Sequence, residues 1–390
     1  MNNLSYKSII DEICDNARRD DYKGYNKHDG LNSPIIRALS PHKFLRLVGI
    51  QGIMRFPINL RPAFLVPKTI NAKGMSLWAV TYMNLYTATK QQQYLDYAQG
   101  CLDWLLNNHS QGDQYSGLCW GYPYPWQDVG FFAPRGMPNC VVSCFVGRSL
   151  LQAYEIIGDK KYLKAVESLC QFFLNNLTKI QDTEDMLCLS YAPVEMDWVV
   201  MDTSALSAIV LAKTGKHIGN QDFINTARRL INYVVDKKTD YHAWFYSHPP
   251  ENSHITHDNY HTGYIVDAIL DYTETTGDKQ FWDSYEKGLK YYQDNLFMPN
   301  GAPRWMNDKE YPYDIHGCAQ GIISFAKAAK VDPKYMEQAE LCAKWAIDNM
   351  YVPSEARFYY QKRPLYTTKF TLLRWCNAWM ARALSELISS

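Results

Sequence analysis

From about residue 75 onward, apolar residues return every third or fourth position, in paired blocks separated by a short polar turn. Leu151, Tyr154 and Ile157 precede one such turn; Tyr162, Ala165, Leu169, Phe172 and Phe173 follow it. That spacing predicts two half-buried helices joined as a hairpin. The phrase occurs five times. The first three copies are LYTATKQQQYLDYAQGCLDWLLNNH from Leu85, AYEIIGDKKYLKAVESLCQFFLNNL from Ala153 and VLAKTGKHIGNQDFINTARRLINYVVD from Val210. DYTETTGDKQFWDSYEKGLKYYQDNLF from Asp271 and FAKAAKVDPKYMEQAELCAKWAIDNMY from Phe325 complete the set. Gly-Asp at 158–159 and 277–278 supplies a helix stop and then a polar start. The copies are too widely and unevenly spaced for a stacked solenoid of short repeats. The extra length lies between hairpins, in segments rich in Trp, Tyr, His, Gly and Pro. The pattern therefore predicts an all-α (α/α)6 toroid of helical hairpins with long aromatic loops at one mouth. A last helix, Leu372 to Ile388, has no partner after it, so N-terminal helices are expected to close a sixth pair.

A chain of 390 residues would by size alone suggest two cores. The repeats run to the last helix without a linker, so a single domain over 1–390 is expected, with 1–66 as helices capping or closing the barrel. Within that part, PHKFLRLVGIQGIMRFPINLRPAFLV at 41–66 stands apart. It is apolar, has Lys43, Arg46, Arg55 and Arg61 around it, and is ended by Pro57 and Pro62. It reads first as a barrel cap with solvated basic residues, the alternative being a peripheral contact with a membrane or a partner.

Forty basic and forty acidic residues cancel, without a basic stripe, so no nucleic-acid partner is expected. The start, MNNLSYKSIIDEICDNARRD, reads as an amphipathic helix rather than a signal peptide. No run of about 18 uncharged apolar residues suggests a membrane span. Ten cysteines fall singly, apart from Cys140 and Cys144 one helical turn apart, which points to reduced, buried thiols and a cytoplasmic protein, with membrane association left open by 41–66. Composition changes the picture through its aromatics: 29 Tyr and 11 Trp supply flat, amphipathic surfaces of the kind that bind sugars.

Five stretches between hairpins carry the candidate chemistry. CWGYPYPWQDVGFFAPRGMPN at 119–139 offers Trp120, Tyr122, Tyr124, Trp126 and Asp128 on a loop held by prolines and glycines. APVEMDWVVMDTSA at 192–205 offers Glu195, Asp197 and Asp202, the last read as the N-cap of a helix starting at Thr203. YHAWFYSHPPENSHITHDNYHTGY at 241–264 holds five of the ten histidines. His254, His257 and His261 have metal-ligand spacing, but prolines break the helix they would need, so no metal is expected. Its sharper feature is HDNYHTG, with Asp258, Tyr260 and His261 at a helix entry. EYPYDIHGCAQG at 310–321 repeats the idea with Tyr313, Asp314, His316 and Gln320, and TTKFTLLRWCNAWM brings Arg374 and Trp375 to the start of the last helix. In a toroid such entries converge on one mouth. For any single residue a helix cap or a buried hydrogen-bonded group explains it equally well.

Glycoside hydrolysis needs one protonated and one ionised carboxyl group. Asp258 and Asp314 are the expected pair, tuned by His261 and His316, with Asp128 in reserve and Arg374 holding an anionic sugar. A uronic-acid lyase or C5-epimerase would instead use His261, Tyr260 or His316 as base, with Arg374 on the carboxylate. A glycan-binding scaffold without catalysis is the third reading. The phosphate-, dinucleotide- and serine-hydrolase motifs are missing, and no cofactor is expected.

The hairpins together with CWGYPYPWQ, HDNYHTGY, YPYDIHGCAQGI and RWCNAWM resemble a group of six-hairpin (α/α)6-barrel proteins encoded among bacterial and archaeal surface-polysaccharide biosynthesis genes. The likeness runs from PINLRP at 57–62 to the last helix. It implies a carbohydrate-active protein of polysaccharide metabolism, acting on an oligosaccharide or lipid-linked glycan. It also implies Trp120, Asp128, Asp258, His261, Asp314, His316 and Arg374 as cleft residues, and Tyr122, Trp126, Tyr260, Gln320 and Trp375 are expected to bind substrate beside them. The wider superfamily of such barrels implies hydrolases, unsaturated-uronyl hydrolases, lyases and epimerases.

Overall fold

The computed structural model describes residues 3–196, 198–253 and 255–389; Asp197 and His254 lie outside the described residues. Three helices come first: α1 (Asn3–Arg19), α2 (Pro34–Leu39) and α3 (Lys43–Arg55). Five hairpins follow: α4 (Ala72–Thr89) with α5 (Gln92–Asn107), α6 (Cys140–Ile157) with α7 (Lys160–Asn176), and α8 (Met201–Ile218) with α9 (Gln221–Asp236). The last two are α10 (Asn259–Thr276) with α11 (Trp282–Leu296), and α12 (Ile315–Ala329) with α13 (Tyr335–Met350); α14 (Trp379–Ser389) ends the chain.

The first helix of each hairpin is buried on almost every side, and the second on one face only. Sequence accounts for the difference. The inner helices are mostly Ala, Gly, Ser, Thr and apolar residues, and their hydroxyls bond back into their own helix, as Thr81 does to the Leu77 carbonyl at 2.9 Å and Thr214 to the Val210 carbonyl at 2.7 Å. The outer helices keep the period-3.6 stripe. The inner helices α4, α6, α8, α10, α12 and α14 pack in succession, and α14 returns to α4, so the ring is closed. α1 packs against α14 as its outer partner and completes the sixth pair. α6 has the length and apolar composition of a membrane span, but it is an inner helix packed between α4 and α8.

Left-handed residues end the inner helices of four hairpins: Gly158, Gly219 and Gly277 at φ +80°, +71° and +78°, and Lys90 at +57°. The last helix departs from expectation at its start. Residues Arg374–Ala378 form a π turn before α14, a widened geometry found mostly at functional sites.

α2 and α3 lie apart from the ring on a small apolar cluster of Leu31, Ile36, Ile50 and Ile53, with Leu60, Phe64 and Trp126 against it. Arg61 is not a solvated member of this segment. It is fully buried, its Nε 2.7 Å from Asp29 Oδ1, and it donates to the carbonyl oxygens of Asn26 and Lys27.

Candidate active site

A cleft of about 990 Å³ opens at the N-terminal ends of the inner helices. Each contributes from its first turn or just ahead of it: Lys73 on α4, Val141 on α6, Asp202 on α8, Tyr260 and His261 on α10, His316 on α12, and Arg374 and Trp375 from the π turn. The loops between hairpins and α3 supply the walls. Helix N-termini carry partial positive charge, so this convergence favours an anion.

Two carboxylates line the cleft among the described residues, Asp128 and Asp202. Asp202 is not a cap: Val200 occupies that place, because the pairing of Val199–Val200 with Ser247–His248 runs up to the helix and α8 begins at Met201. The Asp202 carboxyl is buried and its Oδ1 has no hydrogen-bond partner. Burial pushes its pKa up, with His261 and Lys73 pulling the other way. Asp128 sits half-buried on a tight loop held by its own amide to the Phe131 carbonyl at 2.9 Å and by Gln127 Nε2 to the carbonyls of Asp128 and Phe131 at 2.8 Å.

Asp258 and Asp314, the expected acid and base, lie one layer behind this surface. Both are N-caps, with Asp258 accepting from the His261 amide and Asp314 from the His316 amide. Asp314 also accepts from Trp375 Nε1 at 2.8 Å and Gln361 Nε2 at 2.7 Å, so its lone pairs serve the structure. Asp258 Oδ2 holds His261 Nδ1 at 2.8 Å and orients an imidazole that does line the cleft.

His316 is buried and neutral: burial first, then Lys73, Arg374 and Lys27, holds its pKa well below the usual range. Lys73 Nζ donates to the Tyr264 hydroxyl at 3.5 Å, and that hydroxyl shares a hydrogen bond of 2.9 Å with His316 Nε2. His316 Nδ1 has no partner. Tyr260 stacks on this ring at 4.5 Å, and Trp375 stands edge-on to it at 4.3 Å.

Three buried basic groups share the floor. Lys27 lies 3.7 Å over the Trp375 ring, and burial, opposed by Asp314 and aided by Arg374, lowers its pKa to about 8. Lys73 is driven well below its ordinary value by burial and by Arg374. Arg374 leaves its Nε unpaired. Like charges gathered in a dry site call for an anionic ligand.

Of the expected sugar-binding residues, Tyr122, Trp126, Asp128, Tyr260, Arg374 and Trp375 line the cleft. Trp120 and Gln320 do not. Trp120 is in the core with Nε1 on the Leu105 carbonyl at 2.9 Å, and Gln320 is buried against Asp267 at 3.0 Å and Ser324 at 2.9 Å. His257 is likewise structural, its Nδ1 2.8 Å from the Trp244 carbonyl. Asp202, Lys27 and Lys73 escaped the sequence reading as site residues. Asp202 and Lys73 had a usable signal, a charged residue among small ones at an inner-helix entry. Among the described residues no group of three or more His, Cys, Asp or Glu is arranged to hold a metal.

Residues 72–258 match the Glycosyl Hydrolase Family 88 family model, a span holding α4, α6 and α8 together with Asp128 and Asp202. No curated protein matches the chain by sequence. Among solved structures, a sugar epimerase from a ruminal bacterium is 17% identical with a TM-score of 0.65, over 82% of this chain and 87% of that one. A GH76 alpha-mannanase from Bacteroides thetaiotaomicron gives 0.64 at 14% identity, over 82% and 86%. An unsaturated glucuronyl hydrolase specific for heparin gives 0.58 at 13%, over 81% and 85%. These likenesses show a shared (α/α)6 toroid, and the match to the glycosyl hydrolase family model spans just under half of the chain.

Proposed function

We propose that this protein, acting as a single domain, hydrolyses a glycosidic bond at an anionic sugar, a uronic acid or its unsaturated form, with Asp202 as general acid and Asp128 as its ionised partner. The observation that carries the reading is the pairing of unlike carboxyls in one cation-rich cleft. Asp202 is buried with a raised pKa, while Asp128 is half-buried on a loop. Divergent environments of this kind are how two carboxyl groups divide acid and base roles. Lys27 and Arg374 hold the sugar's carboxylate, and Tyr122, Trp126 and Trp375 pack on its faces. Asp258 and Asp314 support the site by positioning His261 and Trp375. The substrate is an oligosaccharide, free or lipid-linked, of surface-polysaccharide metabolism. The cytoplasm is the proposed setting, supported by ten buried, unpaired cysteines.

Incubation of wild type, Asp202→Asn and Asp128→Asn with uronic-acid oligosaccharides in heavy water tests this. Fragments that gain water in the wild type, slowed by about 10²–10⁴-fold in Asp202→Asn, support it. A second reading has its own observation, the Asp258–His261 pair at 2.8 Å, which is the arrangement a proton-abstracting base uses. Deuterium uptake without cleavage, or an unsaturated product, would assign the enzyme to epimerisation or elimination. Binding without any turnover would leave a scaffold.

A further inference from the structure

α3 has apolar residues on all its faces, and two of the faces have evident uses. Ile50 and Ile53 pack into the small cluster under α2, and Leu47, Gln51 and Met54 line the cleft. The third face, with Phe44 and Val48 four residues apart, is exposed, Phe44 being 72% and Val48 51% accessible. It does not stand alone. Eight of the fifteen exposed large apolar side chains among the described residues fall within 35–65, including Leu39, Ile58 and Leu65 at 68%, 68% and 62%. The cleft-side loop joins them through Val129 and Phe132, the latter 4.7 Å beneath the Arg46 guanidinium. Patches of this concentration mark interaction sites.

The charge around the patch says what it meets. Between Asp29 and Asp96 there is no acidic residue, while Arg37, Lys43, Arg46, Arg55 and Lys68 fall in that interval, in a chain whose total charge is zero. Arg37, Lys43 and Arg55 are exposed, and Lys43 and Arg55 also stand at the cleft with Lys309 and Arg363. At 13 residues α3 is too short to span a bilayer. Exposed apolar side chains ringed by cations, on a helix lying along the surface, fit an interfacial contact with anionic lipid.

We propose that α2, α3 and the 56–65 segment seat the protein on an anionic membrane surface, bringing the mouth of the cleft beside the lipid headgroups. The docking does not depend on the reaction; its use, presenting a lipid-linked glycan to the cleft, rests on the hydrolytic reading above.

The test is flotation of the full chain, without substrate, on phosphatidylcholine vesicles with and without phosphatidylglycerol. The expected result is binding to the mixed vesicles only, weakened about tenfold by Arg37→Glu and by raised salt, and lost in Leu39→Ser/Phe44→Ser/Ile58→Ser. None of those residues lines the cleft, so turnover of a short soluble oligosaccharide is unchanged in the same variants. Failure to bind mixed vesicles overturns the proposal, as does binding that the triple variant keeps. A concentration-dependent dimer abolished by the triple substitution would also overturn it, assigning the face to a second copy. Vesicle binding with no turnover would retain the docking face and remove the hydrolase.

Discussion

Asp202 follows a short strand pairing and Asp314 ends one, both at the entry to an inner helix, yet their carboxyls meet opposite fates. Asp314 caps its helix and holds Trp375; Asp202, in the first turn beyond the cap, has nothing to cap. Sequence shows an acid at a helix entry in each case. The offset that separates cap from cleft group depends on where the strand pairing stops, and that is set across 48 intervening residues by Ser247–His248. Three-residue patterns cannot carry this information. The same buried carboxyl yields a stability prediction. Its folded-state pKa is raised above 3.8, so ionisation at neutral pH destabilises the fold. Asp202→Asn is therefore inactive yet melts above the wild type at neutral pH, and the gap closes as pH falls from the raised value toward 3.8; thermal melts across that range check it. Lys27 gives a second pH dependence. It is charged below about 8 and neutral above, so KM for an anionic substrate should rise as pH passes upward through about 8, a rise absent in Lys27→Arg.

At the scale of elements, the hairpins were legible because their outer helices obey a period and their turns use Gly158 and Gly277. The aromatic loops were less so, since Trp serves core and cleft alike. Trp120 and Trp126 sit six residues apart on one loop, one anchoring to the Leu105 carbonyl inside the ring and the other lining the cleft. Only the direction of the backbone separates them. Trp120→Phe should lower stability by about 1–3 kcal/mol, since it removes a buried hydrogen bond to the Leu105 carbonyl and part of a packed ring, without changing KM. Trp126→Ala should raise KM. Denaturant titration and steady-state kinetics on the two variants distinguish these roles.

For the whole molecule, the six-pair ring was readable from five copies and one unpaired helix, and 41–66 read as a barrel cap, whereas the face of α3 turned to the cleft was not legible, since apolar residues fall on every side of that helix. Ring closure makes the first helix as integral as any other. Ile10 and Ile13 on α1 are fully buried against the C-terminal side of the barrel, so Ile13→Ala should cost about 2–5 kcal/mol, like a mid-core truncation, as measured by urea unfolding. The same closure dictates an order of events on the ribosome. α1 emerges ahead of every other helix of the ring and its partner α14 after them all, with Arg374 at the cleft just before α14. The ring therefore stays open, its apolar inner faces uncovered, until its closing helix is made, and the cleft is finished together with the fold. Chains truncated ahead of α14 should accordingly lack both a stable fold and a complete cleft, which limited proteolysis of such truncations checks.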